Sequence, residues 1–129
     1  MTTILVADDS DFVRRAVCAI LREQSDFQIV GEAHDGNEAV EKVEALQPEV
    51  VVMDISMPVM NGLEAAAAIA KIYPKTKIVF LTQYPTPEHV SSAGAKTNWS
   101  YVLKSDANKH LVLAVRGDQP IASPTNETL

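Results

Sequence analysis

Five side chains of types that do chemistry sit where short apolar runs end. Asp8 and Asp9 follow Ile4-Leu5-Val6-Ala7, and Asp54 follows Val50-Val51-Val52-Met53. Thr82 follows Ile78-Val79-Phe80-Leu81, and Lys104 follows Tyr101-Val102-Leu103. If these run ends share one edge, three carboxylates meet there. At about 4 Å and an effective dielectric near 20, each like-charged pair costs on the order of 4 kcal/mol. Such a cluster needs a cation, a proton or a lysine. Oxygen-only ligands and a solvent-open mouth suit Mg²⁺. A carboxylate beside Mg²⁺, a hydroxyl and an ammonium is a set of parts for phosphoryl transfer. The carboxylate attacks phosphorus, the cation and the ammonium hold the equatorial oxygens, and the hydroxyl donates a hydrogen bond.

For these groups to meet, the runs must be strands of one sheet. Residues 50–53 are apolar without alternation, as in a strand buried on both faces of a parallel sheet. Pro58 cannot continue a central strand, and Asn61-Gly62 signals a turn. Asp54 therefore falls at the C-terminal end of a central strand, the edge at which open α/β sheets bind ligands. Helical patterns separate the runs. Asp11 or Ser10 caps a helix in which Phe12, Val13, Ala16, Val17, Ile20 and Leu21 recur at helical spacing. The alternating run from Phe27 towards Ala33 predicts an edge strand. Ala39, Val40, Val43 and Leu46 form the next stripe, closed by Pro48.

Residues 63–73 are an Ala-rich helix of high propensity, stopped by Pro74. Strands at 77–82 and 101–104 flank a weak helix carrying Val90, Ala93, Gly94 and Ala95. Ser105 or Asp106 caps a last helix with Leu111, Ala114 and Val115, ended by Gly117. The order is βα repeated five times. It predicts an α/β, doubly wound (βα)5 sandwich with a five-stranded parallel sheet in the order 2-1-3-4-5. Residues 1–117 form one domain, and 118–129, with Pro120 and Pro124, read as a tail or the start of an interdomain linker.

The totals exclude several classes. The 129 residues carry a net charge of −6 and a pI of about 4.9, against direct binding of nucleic acid or an anionic membrane surface. One cysteine, Cys18, permits no internal disulfide, fits a reducing, cytoplasmic setting and lies in an apolar helical pattern that points to core packing. No run approaches the roughly 18 apolar residues of a membrane span. Met1-Thr2-Thr3 does not open a signal peptide.

The motifs Asp8-Asp9, residues 54–62 (Asp-Ile-Ser-Met-Pro-Val-Met-Asn-Gly), Leu81-Thr82 and Tyr101-Val102-Leu103-Lys104-Ser105 resemble the receiver (phosphoacceptor) domain of bacterial two-component response regulators over about residues 3–117. The resemblance implies a phosphorylation-dependent switch that accepts a phosphoryl group on Asp54 from a sensor histidine kinase. It implies Mg²⁺ held by Asp9, Asp54 and the Ser56 carbonyl, with Asp8 acting mostly through water. Thr82 would turn towards the phosphoryl group and Lys104 would pair with it. Tyr101 matches the family's switch aromatic, which reshapes the face built by the fourth helix, the fifth strand and the fifth helix. The chain would be a regulator, not an enzyme beyond its own phosphorylation and slow dephosphorylation. The resemblance leans towards the subgroup with a C-terminal helix-turn-helix domain, admits a homodimer, and finds no effector domain after Gly117.

One stretch departs from the family pattern. Thr97-Asn98-Trp99-Ser100 stands where a Gly-Ala-x-Gly turn is usual, which reads as a substituted turn. Trp99 is either a ring packed over the end of the fourth helix or an anchor for a partner. Tyr84 either hangs over the pocket mouth or is structural. His34, His89 and His110 read as solvated surface. Arg14-Arg15 reads as a solvated helix face or, by the resemblance, a kinase-docking end of the first helix.

Three other functions compete. An aspartyl phosphatase of the haloacid-dehalogenase type needs a second Asp at position 56, which is Ser. A flavodoxin-like module binding a flavin phosphate shares the strand order, but Asp8-Asp9-Ser10-Asp11 would repel that phosphate. The remaining alternative is a receiver-fold binding module that is not phosphorylated and acts only by protein–protein interaction.

Overall fold

Runs rich in Val, Ile and Leu form the strands, because β-branched side chains pack well on a pleated surface covered on both sides. The computed structural model describes residues 1–83 and 98–117. In chain order the elements are β1 (Thr2–Ala7), α1 (Asp11–Arg22), β2 (Phe27–Ala33), α2 (Gly36–Leu46), β3 (Val50–Asp54), α3 (Gly62–Ile72), β4 (Lys77–Thr82) and β5 (Trp99–Leu103). A single 3-10 turn, Lys104–Asp106, leads into the C-terminal helix, Ala107–Arg116. The predicted helix with Val90, Ala93, Gly94 and Ala95, together with Tyr84, His89 and residues 118–129, lies outside the described residues.

The sheet is five-stranded and parallel in the order β2-β1-β3-β4-β5, as the sequence predicts. Alternate residues of each strand supply two cores. Ile4, Val6, Val50, Val52, Val79, Leu81 and Val102 face α1 and the C-terminal helix, which contribute Val17, Cys18, Leu21, Leu111, Ala114 and Val115. Leu5, Ala7, Val51, Met53, Ile78 and Phe80 face α2 and α3, which contribute Ala39, Val43, Ala65, Ala66 and Ile69. Cys18 is buried in the first core, and burial pushes its thiol pKa up, consistent with packing rather than reactivity. Among the described residues, no helix is long and apolar enough to cross a membrane.

Several boundaries and faces differ from the sequence expectation. Trp99 and Ser100 belong to β5, not to a turn, and pair with Ile78 and Val79. Trp99 is half-buried and meets Phe80 edge-on, with ring centroids 5.3 Å apart. That contact draws the position into the strand. Lys104 leaves the strand and opens the 3-10 turn. Asp106 occupies the cap position of the last helix without a side-chain hydrogen bond, because the 3-10 turn already feeds the chain into it. Ser10, not Asp11, caps α1 through its hydroxyl and the Val13 amide.

On α1 the buried stripe is Val17, Cys18 and Leu21, while Phe12 is 83% exposed. Position 12 turns away from the sheet in the first turn of the helix. Leu46, at the end of α2, is also exposed. His110 is half-buried rather than solvated, and its Nδ1 has no hydrogen-bond partner among the described residues.

The loop after β3 is closed back on the strand. The Asn61 side chain and Glu64 form a reciprocal capping box at the start of α3, and the Gly62 amide donates to the Ile55 carbonyl at 2.7 Å. A Cβ on Gly62 would lie 2.3 Å from the Asp54 carbonyl oxygen. Neither backbone can yield without displacing Asp54. Gly62→Ala is expected to destabilise the fold by about 1–3 kcal/mol, read as a lower urea midpoint with an unchanged slope.

Candidate functional site

Parallel register brings the predicted residues to one edge. Ala7 pairs with Met53, so Asp8 and Asp54 extend adjacent strands at the same height. Thr82 pairs with Leu103, which places Lys104 one residue beyond on the neighbouring strand. Asp8 is fully buried, Asp54 is 4% exposed and Thr82 is buried. Asp9 is exposed at the mouth. Carboxylate oxygens of Asp8, Asp9 and Asp54 all lie within 4.8 Å of one another. The Lys104 ammonium bridges two of them, 3.3 Å from Asp54 Oδ1 and 3.4 Å from Asp8 Oδ2.

Each carboxylate is also tied by backbone. The Ser10 amide donates to Asp8 Oδ1 at 2.9 Å, and the Ser56 amide to Asp54 Oδ1 at 3.3 Å. Asp8 Oδ2 is buried and has no hydrogen bond among the described residues. One ammonium thus pairs with two of three clustered carboxylates, and a buried oxygen remains short of donors. The donor set is oxygen only and opens to solvent on the Asp9 side. This fits a hard divalent cation such as Mg²⁺.

Burial raises the Asp54 pKa to about 6, with the negative charge of Asp8 adding to the rise. Lys104 and the Ser56 amide lower it in part. The carboxyl is therefore harder to ionise than an ordinary aspartate, and a bound cation would favour its ionised, nucleophilic form.

Tyr101 stands apart from this cluster. Its half-buried ring packs against Phe80 on the α3 side of the sheet, with centroids 5.0 Å apart. Ser56 lies in the loop after Asp54 and is exposed. In that loop Val59 adopts φ 69°, a left-handed conformation that β-branched residues rarely take, and is 84% exposed. Nothing in the apolar pattern signals it.

Arg14 is the residue beside the site whose surroundings the sequence reading misplaces. It is not a solvated face residue. Its side chain is 16% exposed, its Nε donates to Glu32 at 2.9 Å, and its Nη1 donates to the Asp8 carbonyl at 2.7 Å. The Asp11–Arg14 spacing suits an ion pair on one helix face, and that pair forms at 2.5 Å. The Glu32 and Asp8 contacts depend on tertiary structure. Arg15 is exposed, as expected, and so is His34, which pairs with Glu38.

Because the folded-state pKa of Asp54 lies above its unfolded value, folding takes up a proton between about pH 4 and 6. The stability penalty of the ionised form is absent below that window and complete above it. In metal-free buffer the protein should lose stability as pH rises from 4 to 6.5. Asp54→Asn should flatten that slope and add about 1–3 kcal/mol at pH 7.5, measured by urea unfolding at each pH.

The response regulator receiver domain family matches residues 4–116. The oxygen regulatory protein NreC of Staphylococcus haemolyticus (strain JCSC1435) is 43% identical over 117 residues, covering 88% of this chain and 52% of its own. NreC of Staphylococcus epidermidis is 41% identical over the same shares. The chain spans about half the length of the curated relatives it matches. Among solved structures, a LuxR-family DNA-binding response regulator from Staphylococcus aureus superposes with a TM-score of 0.83 at 30% identity, covering 92% of this chain and 98% of the other. The response regulator domain of Thermotoga maritima CheB gives 0.82 at 29% identity, covering 92% and 96%.

Proposed function

The chain belongs to the response regulator receiver domain family, and from that premise we propose that it is a signalling switch phosphorylated on Asp54. The observation that carries the proposal is the convergence of buried Asp8 and Asp54 on one lysine, at 3.4 and 3.3 Å. No classical enzyme activity is assigned. The chemistry is the domain's own phosphorylation and a slow return.

An Asp54 carboxylate oxygen attacks the phosphorus of a phosphohistidine on a sensor kinase. The P–N bond breaks, the imidazole leaves, and an acyl phosphate forms on Asp54. Asp9, Asp54 and the Ser56 carbonyl would hold Mg²⁺, with Asp8 acting mostly through water. When bound, Mg²⁺ supplies positive charge to the phosphoryl oxygens. Lys104 is already aimed at Asp54 and would shift its ion pair from the carboxylate to the incoming oxygens. The Thr82 hydroxyl at the adjacent strand end would donate to another phosphoryl oxygen. Tyr101, on β5 three residues before Lys104, would respond to movement of Thr82 and change the face around β5.

The chain's setting is proposed on the same footing. Residues 1–117 are the receiver unit, and 118–129 begin a tail or linker. The named DNA-binding, LuxR-family structure supports an attached helix-turn-helix output in the whole protein. The acidic receiver itself would not contact DNA, and the setting is cytoplasmic. The exposed Phe12 borders a hollow of about 240 Å³ lined by Ala16 and Ile20 of α1, Ala107, Asn108 and Lys104. Its position beside the acceptor supports kinase docking there, with Arg15 exposed on the same helix. A second copy of the chain is a further partner.

The test is intact mass after incubation with Mg²⁺ and acetyl phosphate. One phosphoryl addition is expected for the parent and none for Asp54→Ala or for the parent without Mg²⁺. Lys104→Ala should slow the addition by roughly 10²-fold or more. Absence of any addition to the parent would leave only the non-phosphorylated binding module.

A further inference from the structure

The turn that presents Asp8 and Asp9 is held from outside the carboxylate cluster. The Asp8 amide donates to the Ala33 carbonyl at 3.0 Å, continuing the β1–β2 ladder. The Asp8 carbonyl accepts from Arg14 Nη1 at 2.7 Å. The remaining edges of that guanidinium reach Glu32 on β2 at 2.9 Å and Asp11 in the first turn of α1 at 2.5 Å. One planar fork therefore joins three segments: the end of β1, the start of α1 and the edge strand. It also draws Asp11, the last member of an acidic run of Asp8-Asp9-Ser10-Asp11, onto a partner of its own.

We propose that Arg14 is a positioning residue for cation binding, fixing the Asp8–Asp9 turn through its grip on the Asp8 carbonyl. This rests on the Mg²⁺ reading above. The sign of the effect separates positioning from simple charge. Arg14 is itself a cation, so its loss, by Coulomb's law alone, would tighten a nearby divalent-cation site, the more so because Asp11 and Glu32 would be left unpaired. Positioning demands the opposite. Without the fork the turn loosens, the two carboxylates must be ordered by the ion, and the ion binds more weakly.

The probe is Mn²⁺, whose free form is counted by paramagnetic resonance, titrated into the metal-free full chain. Arg14→Gln is expected to bind Mn²⁺ about tenfold or more weakly than the parent. Arg14→Lys should fall between them, because an ammonium keeps the charge but not the three-way fork. Arg15→Gln removes the same charge from the exposed neighbour and should bind as tightly as the parent or more so. With acetyl phosphate as donor, Arg14→Gln should need more Mg²⁺ for its half-maximal rate yet reach the parental maximum within about twofold. A merely structural role would not give that split.

If the parent binds Mn²⁺ and Arg14→Gln binds it equally or more tightly, the inference is wrong and the Mg²⁺ reading stands. If the parent binds none, both fall together. Should circular dichroism show Arg14→Gln unfolded, Arg14→Lys decides: weaker binding supports the proposal, and parental binding overturns it.

Discussion

Asp8 and Asp54 are buried side by side at the ends of adjacent strands, with the Lys104 ammonium 3.3–3.4 Å from both. Two buried carboxylates side by side cannot both be ionised cheaply, and one lysine offsets part of the repulsion. The fold enforces this arrangement. Because β1 and β3 are central and parallel, their C-terminal ends open at the same edge, and their apolar residues fix the register that sets Asp8 level with Asp54. Moving either acid one residue along its strand would turn it to another face. The conflict is thus stored by the sheet, and a proton or, in the proposed function, a cation or a phosphoryl group would relieve it.

Under the proposed function, relief by different species would make the site a switch. The same lysine that now faces Asp54 can face phosphoryl oxygens, and Thr82 sits at the neighbouring strand end. Behind Thr82, Phe80 packs against both Tyr101, tilted, and Trp99, edge-on, so β4 and β5 share an aromatic layer on the α3 side. A displacement at Thr82 has a packed route to that layer, since interiors transmit shifts rather than absorb them. At the opposite flank, Arg14 fastens the acidic turn to α1 and β2, so that the carboxylates are held from outside while the mouth stays open.

Much of this was legible in the residues. Short apolar runs ending in Asp8-Asp9, Asp54 and Thr82 marked the strands, because β-branched residues dominate them and Pro58 and Asn61-Gly62 close the central one. Parallel order followed from the alternating helical patterns. The residues that escaped did so for tertiary reasons. Arg14 reads as a helix-surface cation until Glu32, 18 residues away, and the Asp8 carbonyl are brought to it. Trp99 reads as a turn residue until Phe80 offers its ring. Phe12 fits the apolar spacing of α1, yet the first turn of that helix leaves it exposed, at the hollow beside Lys104 instead of in the core. Val59 has no local marker, since its left-handed backbone is imposed by the loop that closes Gly62 onto Ile55.

The most direct test of the central conflict is the titration of the Asp54 carboxyl itself, followed by carbon NMR of the side-chain carboxyl in metal-free protein and again with Mg²⁺. The account predicts a midpoint near 6 without metal, moving down into or below the ordinary carboxylate range of about 4 when Mg²⁺ is added. A midpoint near 4 that ignores Mg²⁺ would contradict it, because Asp54 would then feel neither its burial beside Asp8 nor a cation in the site.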